Sequence, residues 1–424
     1  MNRDSIGHVS LVLAAIFCGA FALRLGLTAT LQGLAAPPKV EANPDQREYE
    51  LIAYNLSAGN GYGFTRGKPT AARPPGTPLT FLPPYLLFGR SYLAERSWII
   101  LLSSATCLLV AWLGTLYGGP RLGLVAAAWL ALYPGHFYYS MHFLSETVYG
   151  FWLALACGLC LYSIRTGRRW ADIGAGLAWA FAILTRVELI LLVPIAWALL
   201  RLASAPTRGQ AVRHLAVHTT LVLVVVSIWV GRNIVVMGVP SLSTQRGFAF
   251  WGAHNTITMS DPAYAGSWVS IFEQVRDTQP LNGTEVERDR QAWNNGVAAV
   301  HENLPRLPYL TVMKLWRLIS PFFETSNRIA LWAVALGWIV TAPFLLYGVW
   351  LIVRDWSANS WVWMVLLAPM MATIAMAAVF YGSARFRDAL SPLFVVIAAS
   401  GALRLKAHFL PRPIVPRHTG SIVR

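Results

Sequence analysis

Charge is scarce in this chain. Only 12% of its 424 residues are Asp, Glu, Lys or Arg, against 56% hydrophobic, and mean hydropathy is +0.50. A soluble protein carries roughly a quarter charged residues to hold its surface in water. The shortage therefore excludes a soluble globular enzyme and leaves a polytopic membrane protein. Cysteine is scarcer still: Cys18, Cys107, Cys157 and Cys160 all fall in apolar runs. That placement excludes a disulfide-stapled loop and makes Cys157 and Cys160 a matter of helix packing. No repeat of about 20 to 50 residues is present, which excludes a solenoid. No matched pair of Gly/Pro-broken spans suggests the inverted halves of a transporter. Acids are outnumbered by bases, 19 to 34, for a net charge of +15. In a soluble protein that excess would suggest nucleic acid, but here the bases cluster in short segments between apolar runs, as the positive-inside rule expects.

A helix crossing a hydrocarbon core of about 30 Å needs roughly 20 apolar residues. That criterion predicts about ten spans: 9–28, 97–117, 122–140, 147–164, 170–186, 188–203, 214–231, 328–353, 359–381 and 389–405. The first run follows only Asn2, Arg3 and Asp4 and has no small-residue cleavage site, so it reads as a retained helix. The run from Pro78 to Gly89 carries Pro78, Pro83 and Pro84 and is too short and too broken to cross. Leaving it out puts Arg121, the clusters at Arg165/Arg168/Arg169 and Arg201/Arg208/Arg213, Arg354 and the basic C-terminal tail on the side of the N-terminus. Both termini are then cytoplasmic. A turn near Arg186 must divide the stretch 170–201, which as one helix would be far longer than the membrane is thick. The expected organisation is a transmembrane catalytic module over 1–231 with a first outer loop at 29–96, an exoplasmic segment over 232–327, and C-terminal spans with a basic tail over 328–424.

The outer segments carry most of the acids. In NPDQREYELIAYNL, residues 43–56, Asn43 as N-cap, Pro44 at the first helical position and Gln46 at the third make a helix start, with Tyr49, Ile52, Ala53 and Leu56 on one stripe. This pattern predicts an amphipathic helix resting its apolar face on lipid, with Asp45 and Glu48 on one side and Glu50 elsewhere. A solvated polar face is the alternative. Arg66, Lys68 and Arg73 precede a rigid double proline and suit a lipid phosphate, or equally interfacial anchoring. Glu146 sits at the mouth of a span, where an unpaired carboxylate is costly unless it caps the helix. Two further helices are expected, over 285–303 and 309–319, the second interfacial and presenting Lys314 and Arg317. Arg385 and Arg387 return to the outer face before the last span, as ligands or as snorkelling anchors. His136 and His142 raise a metal, but no His/Cys cluster has ligand spacing. No metal or other cofactor is expected, a divalent ion being the minor alternative.

In order, the first-loop stretch from Asp45 to Ala53, ARPPG at 72–76, LSET at 144–147, LTRVE at 184–188, GRN at 231–233 and GSARFR at 382–387 resemble the integral-membrane glycosyltransferases of the GT-C class. The branch is that of the protein O-mannosyltransferases, lipid A aminoarabinose transferases and RgtA/B/C/D-like transferases. The resemblance implies an all-α GT-C fold, a polyprenyl-phosphate sugar as donor and an active site facing the periplasm or cell exterior. It maps a catalytic base onto Asp45 and a second site acid onto Glu146. Donor-phosphate contacts map onto Arg73, Arg232 and Arg385, and Lys314 is a further candidate. Glu48, Tyr49 and Lys68 are supporting neighbours. Many relatives have Asp-Glu where this chain has Asp45 and Gln46, which leaves the division of labour between the acids open.

The expected function is transfer of a hexosyl or pentosyl group from a polyprenyl-phosphate carrier to a lipid, glycan or protein acceptor, at the plasma membrane and with no nucleic-acid partner. Such a transfer needs a carboxylate to take the acceptor proton and cations to stabilise the leaving phosphate. The alternatives are a transporter or flippase of lipid-linked sugars, and an oligosaccharide polymerase or ligase. Transport coupling would call for ionisable groups at mid-membrane, which the predicted span centres almost lack.

Overall fold

The structure, a computed structural model, describes residues 3–39, 43–187, 208–270, 280–323, 325, 327–357 and 360–409. The described residues form helices and turns. Helix α1 is Arg3–Leu31, α2 Asp45–Ser57, α3 Gly76–Phe88, α4 Tyr92–Gly118, α5 Pro120–Leu132, α6 Pro134–Ser140, α7 Ser145–Thr166, α8 Arg169–Thr185 and α9 Arg208–Met237. After these come α10 Arg246–Ala253, α11 Thr256–Ser260, α12 Glu285–Glu302, α13 Leu307–Ile319, α14 Arg328–Arg354, α15 Met364–Val379, α16 Ala384–Ala389 and α17 Ser391–Phe409. Among the described residues five helices are long and apolar enough to cross a membrane: α1, α4, α7, α9 and α14. The chain is an all-α polytopic membrane protein. The expected span at 188–203 and the end of the basic tail, 410–424, lie outside the described residues.

The bundle core joins Val110 and Leu113 of α4, Leu130 of α5, Leu153 and Cys157 of α7, Ala178 and Ile183 of α8, Val226 of α9, Leu345 of α14, Leu366 of α15 and Val396 of α17. Where lipid offers no hydrophobic drive, helices associate through close backbone approach at small residues. Gly348 and Gly401 do this for α14 and α17: a Cβ on either would stand 2.4 Å from a carbonyl oxygen of the other helix.

Two expected spans differ from a single α-helix. The run 122–140 is α5 and α6, because Pro134 lacks an N–H and drives Tyr133 before it into an extended conformation, φ −72° and ψ 113°. The run 359–381 opens with a 3-10 turn at Ser360–Trp363 before α15. The break near Arg186 is present, since α8 ends at Thr185 and Arg186 is extended.

Helix α2 forms where expected, and Asn43 accepts from the Asp45 N–H at 3.2 Å. Its apolar face does not rest on lipid. Tyr49 and Ala53 are buried against Phe81 and Tyr85 of α3, Ile99 of α4, Phe143 and Val148. Gln46 also turns inward, accepting from the Phe143 N–H at 3.2 Å and donating to the Lys39 carbonyl at 3.1 Å. The wall that replaces lipid is α3, the proline-rich run, which forms a short helix. Pro84 cannot donate to the Thr80 carbonyl, and the indole of Trp98 on α4 takes that acceptor at 2.7 Å. Trp152 of α7 donates to the hydroxyl of the same threonine at 3.0 Å. At 13 residues α3 is too short to cross. The segments flanking it are both tied to α2, through Arg73 before it and Arg90 after it.

Gly76 begins α3 against the end of α8. A Cβ there would stand 2.4 Å from the Thr185 hydroxyl and 2.6 Å from its backbone nitrogen. Gly76→Ala should therefore lower stability by about 1–3 kcal/mol through overpacking, read as a drop in thermal midpoint in detergent. An unchanged midpoint would mean that α3 can move off α8.

Candidate active site

Asp45 and Glu48 lie three residues apart on α2, close enough that two carboxylates there repel unless a cation stands between them. Arg73 does so. Its Nη2 is 2.5 Å from Asp45 Oδ1 and its Nε 2.6 Å from Glu48 Oε2, with the Tyr49 ring centroid 5.3 Å from the guanidinium carbon. Arg385 approaches from the other side. It sits at the start of α16, where Ser383 as N-cap accepts from its N–H at 3.2 Å. Arg385 Nη1 lies 3.0 Å from Asp45 Oδ2, and its Nε donates to Glu146 Oε1 in a short contact. Glu146 stands in the first turn of α7, and Arg186, just past the end of α8, reaches the same oxygen at 3.0 Å.

The result is a chain of alternating charge: Glu48, Arg73, Asp45, Arg385, Glu146, Arg186. Among the described residues three acids face three arginines, so this set of six carries no net charge. It gathers residues that follow α1, open α7, end α8 and precede α17, so all of these lie at one end of the bundle. Access is graded along it. The side chains of Glu48 and Asp45 are 31% and 23% exposed, whereas that of Glu146 is 1% exposed. Asp45 and Glu48 are thus acids an incoming molecule can touch, Asp45 being the one held between two arginines, and Glu146 is the sealed acid that holds two arginines. Burial opposes ionisation of Asp45, but Arg73 and Arg385 outweigh it and hold the carboxyl down at about 2. Each Asp45 oxygen is occupied by a different arginine.

The other residues expected at the site lie elsewhere. Glu50 is on the opposite side of α2 and takes Arg90 as a bidentate partner at 2.8 and 3.0 Å. Lys68 and Arg66 are exposed on the loop before Arg73 and do not join the cluster. Arg232, at the end of α9, spends its guanidinium on carbonyls: Thr70 at 2.7 Å and Tyr62 at 3.3 Å, stacked on Tyr62 and Trp229. Lys314 is buried in α13 and donates to His254 Nε2 at 2.7 Å and to the Val379 carbonyl at 2.9 Å. Burial brings its ammonium down to about 8. Arg387 is turned inward on Asp388 at 2.9 Å instead of anchoring in the interface. His136 contacts Ser103 at 3.1 Å and Ser391 at 3.3 Å, while His142 contacts Tyr138 and Gln32. Among the described residues no three His, Cys, Asp or Glu side chains are grouped to hold a metal ion.

Arg186, in the LTRVE stretch and at the expected turn, has no site role in the sequence-based expectations, yet it joins the cluster. A cation at the mouth of an apolar helix, level with the acid Glu146 at the mouth of the preceding one, was the available signal.

No protein-family model and no curated protein matches the sequence. Solved structures do match in fold. The archaeal oligosaccharyltransferase AglB from Archaeoglobus fulgidus, solved with an inhibitory peptide and a dolichol-phosphate, has a TM-score of 0.54 at 13% identity over 97% of this chain and 53% of its own. The Archaeoglobus fulgidus oligosaccharyltransferase tethered to an acceptor peptide gives 0.55 at 14% identity, over 94% and 50%. ArnT from Cupriavidus metallidurans bound to undecaprenyl phosphate gives 0.43 at 16% identity, over 95% and 78%. The chain spans about half the length of the archaeal protein. Such low identity speaks for fold, and the chain is a polytopic membrane protein of the GT-C fold.

Proposed function

We propose that this protein transfers a glycosyl group from a polyprenyl-phosphate carrier to a hydroxyl acceptor, with Asp45 as general base and Arg73 and Arg385 as the donor-phosphate ligands. The observation that carries the reading is the pairing of Asp45, a partly exposed acid, with two arginines at once. The acceptor oxygen attacks the anomeric carbon, the bond from that carbon to the phosphate oxygen breaks, and the acceptor proton passes to Asp45. The leaving polyprenyl phosphate gains negative charge, which Arg73 and Arg385 are placed to take. In the resting cluster those arginines hold Asp45 too acidic to serve as a base. A phosphate that draws them off raises its basicity in the loaded site.

The dolichol-phosphate in the archaeal neighbour belongs to the class of carrier proposed here. The distribution of bases between apolar runs supports a site on the face away from the cytoplasm, with both termini inside. Glu146 and Arg186 act behind Arg385, fixing its guanidinium, and Lys314 and Arg232 act as anchors of the surrounding segments.

A transfer assay in detergent tests the reading, using polyprenyl-phosphate sugars and mass spectrometry of the product. Detergent leaves no compartments, so a carrier or flippase yields nothing while a transferase yields product. An acceptor gaining one sugar fits the proposal. A whole glycan moved from a diphosphate carrier would instead make the protein an oligosaccharide transferase, and no product from any polyprenyl-linked donor would overturn the transferase reading.

A further inference from the structure

The backbone that delivers Arg73 to the cluster is held from several sides. Thr70, Ala71 and Ala72 are buried, at 2%, 0% and 2% exposure, and buried backbone groups need partners. The Thr70 N–H donates to the Tyr62 carbonyl at 3.1 Å, and the Thr70 carbonyl accepts from Arg232. The Ala71 carbonyl accepts from the Thr244 N–H at 3.1 Å, and the Ala72 carbonyl from the Ser243 hydroxyl at 2.7 Å. The Arg73 carbonyl accepts from the Tyr62 hydroxyl at 2.7 Å.

One side chain closes this strap. Glu285, at the first position of α12, accepts from the Thr70 hydroxyl at 2.6 Å through one oxygen and from the Ala71 N–H at 2.9 Å through the other. The second oxygen also accepts from the Thr244 hydroxyl in a short contact. Three donors, two on the strap and one on the loop that pairs with it, thus converge on one carboxylate. Asp289, one turn on, accepts from the Gly247 N–H at 2.6 Å. Two acids four residues apart repel on a free helix, and here each has its own donors. The sequence distance from Thr70 to Glu285 is 215 residues, so a distant helix fixes the segment two residues ahead of Arg73.

We propose that Glu285 is the positioning residue for Arg73: by clamping Thr70, Ala71 and Thr244 it sets where the Arg73 guanidinium stands against Asp45 and Glu48. The proposal rests on the donor-phosphate role given to Arg73 above. A shift of about 1 Å in such a group costs on the order of 10²-fold in rate.

The test uses the full-length protein in detergent. In Glu285→Ala, hydrogen exchange over residues 70–73 should speed up about tenfold, and affinity for polyprenyl phosphate should fall by a similar factor. The donor KM should rise while the acceptor KM stays put, a split that general loosening of the fold would not give. Glu285→Gln, which keeps one acceptor oxygen, should recover most of the affinity. Adding Glu285→Ala to Arg73→Ala should cause no further loss. Unchanged exchange, or losses that add in the double variant, would overturn the proposal. A readout without donor separates it from the functional reading: phenylglyoxal should modify Arg73 faster in Glu285→Ala than in the parent. If the parent fails to bind polyprenyl phosphate, the donor reading falls, while exchange and Arg73 reactivity still decide whether Glu285 holds that arginine.

Discussion

Replacing Asp45 by Asn is expected to slow glycosyl transfer by about 10²- to 10⁴-fold at saturating donor, the range that a positioned general base supplies. Polyprenyl phosphate should still bind, because the amide keeps the shape and leaves Arg73 and Arg385 free for the phosphate. The pH dependence gives a second signature. With Asp45 held at about 2 in the resting site, the acid limb of kcat/KM lies far below neutrality. Drawing the arginines onto phosphate raises the carboxyl, so the acid limb of kcat should lie at higher pH than that of kcat/KM. Linkage has the opposite sense. The folded value lies below the ordinary 3.8, so the stability from Asp45 is full above about pH 4 and is lost as pH falls through about 2. Asp45→Asn removes that dependence. Turnover within tenfold of the parent, in a variant that binds donor and unfolds cooperatively, would remove Asp45 from the chemistry.

The largest expected effect on stability belongs to Glu146→Gln. Glu146 is sealed in the protein and holds Arg186 and Arg385 on one oxygen. Removing the charge leaves two arginines without that counter-charge, and breaking a buried pair in this way costs about 3–5 kcal/mol. Thermal unfolding in detergent should fall well below that of the parent. Donor affinity should weaken as well, since Arg385 loses the group that orients it. Glu146→Gln combined with Arg186→Gln should lose less than the two single changes added together. Additive losses would show that Arg186 and Glu146 do not act as a pair.

Span positions were legible because hydropathy and length are local properties: α1, α4, α7 and α14 stand where apolar runs of sufficient length put them. The apolar face of α2 meets protein where lipid was expected. An amphipathic stripe records that something apolar covers it, not whether that is lipid or protein. Here the cover is α3, whose prolines mark it as too broken to cross but do not show what it packs against. Asp45 and Arg73 could be found because the first loop concentrates acids and cations around rigid prolines. Arg232 could not be placed, since the carbonyl it serves belongs to a residue 162 positions away. Lys314 was misplaced for a similar reason: its partner His254 comes from α10's end, 60 positions back. Arg186 was hidden at the end of an apolar helix whose partner acid belongs to another.

Thr80 carries a mechanical consequence. Its carbonyl receives an indole from α4 and its hydroxyl an indole from α7, so a slide of α3 by a single residue along its axis would break both bonds at once. Helices α3, α4 and α7 are thereby coupled through Thr80, and Glu146 stands in the first turn of α7. On the proposed function, room for a donor is therefore expected from α16 with Arg385 moving against Glu146, and not from α3, α4 or α7.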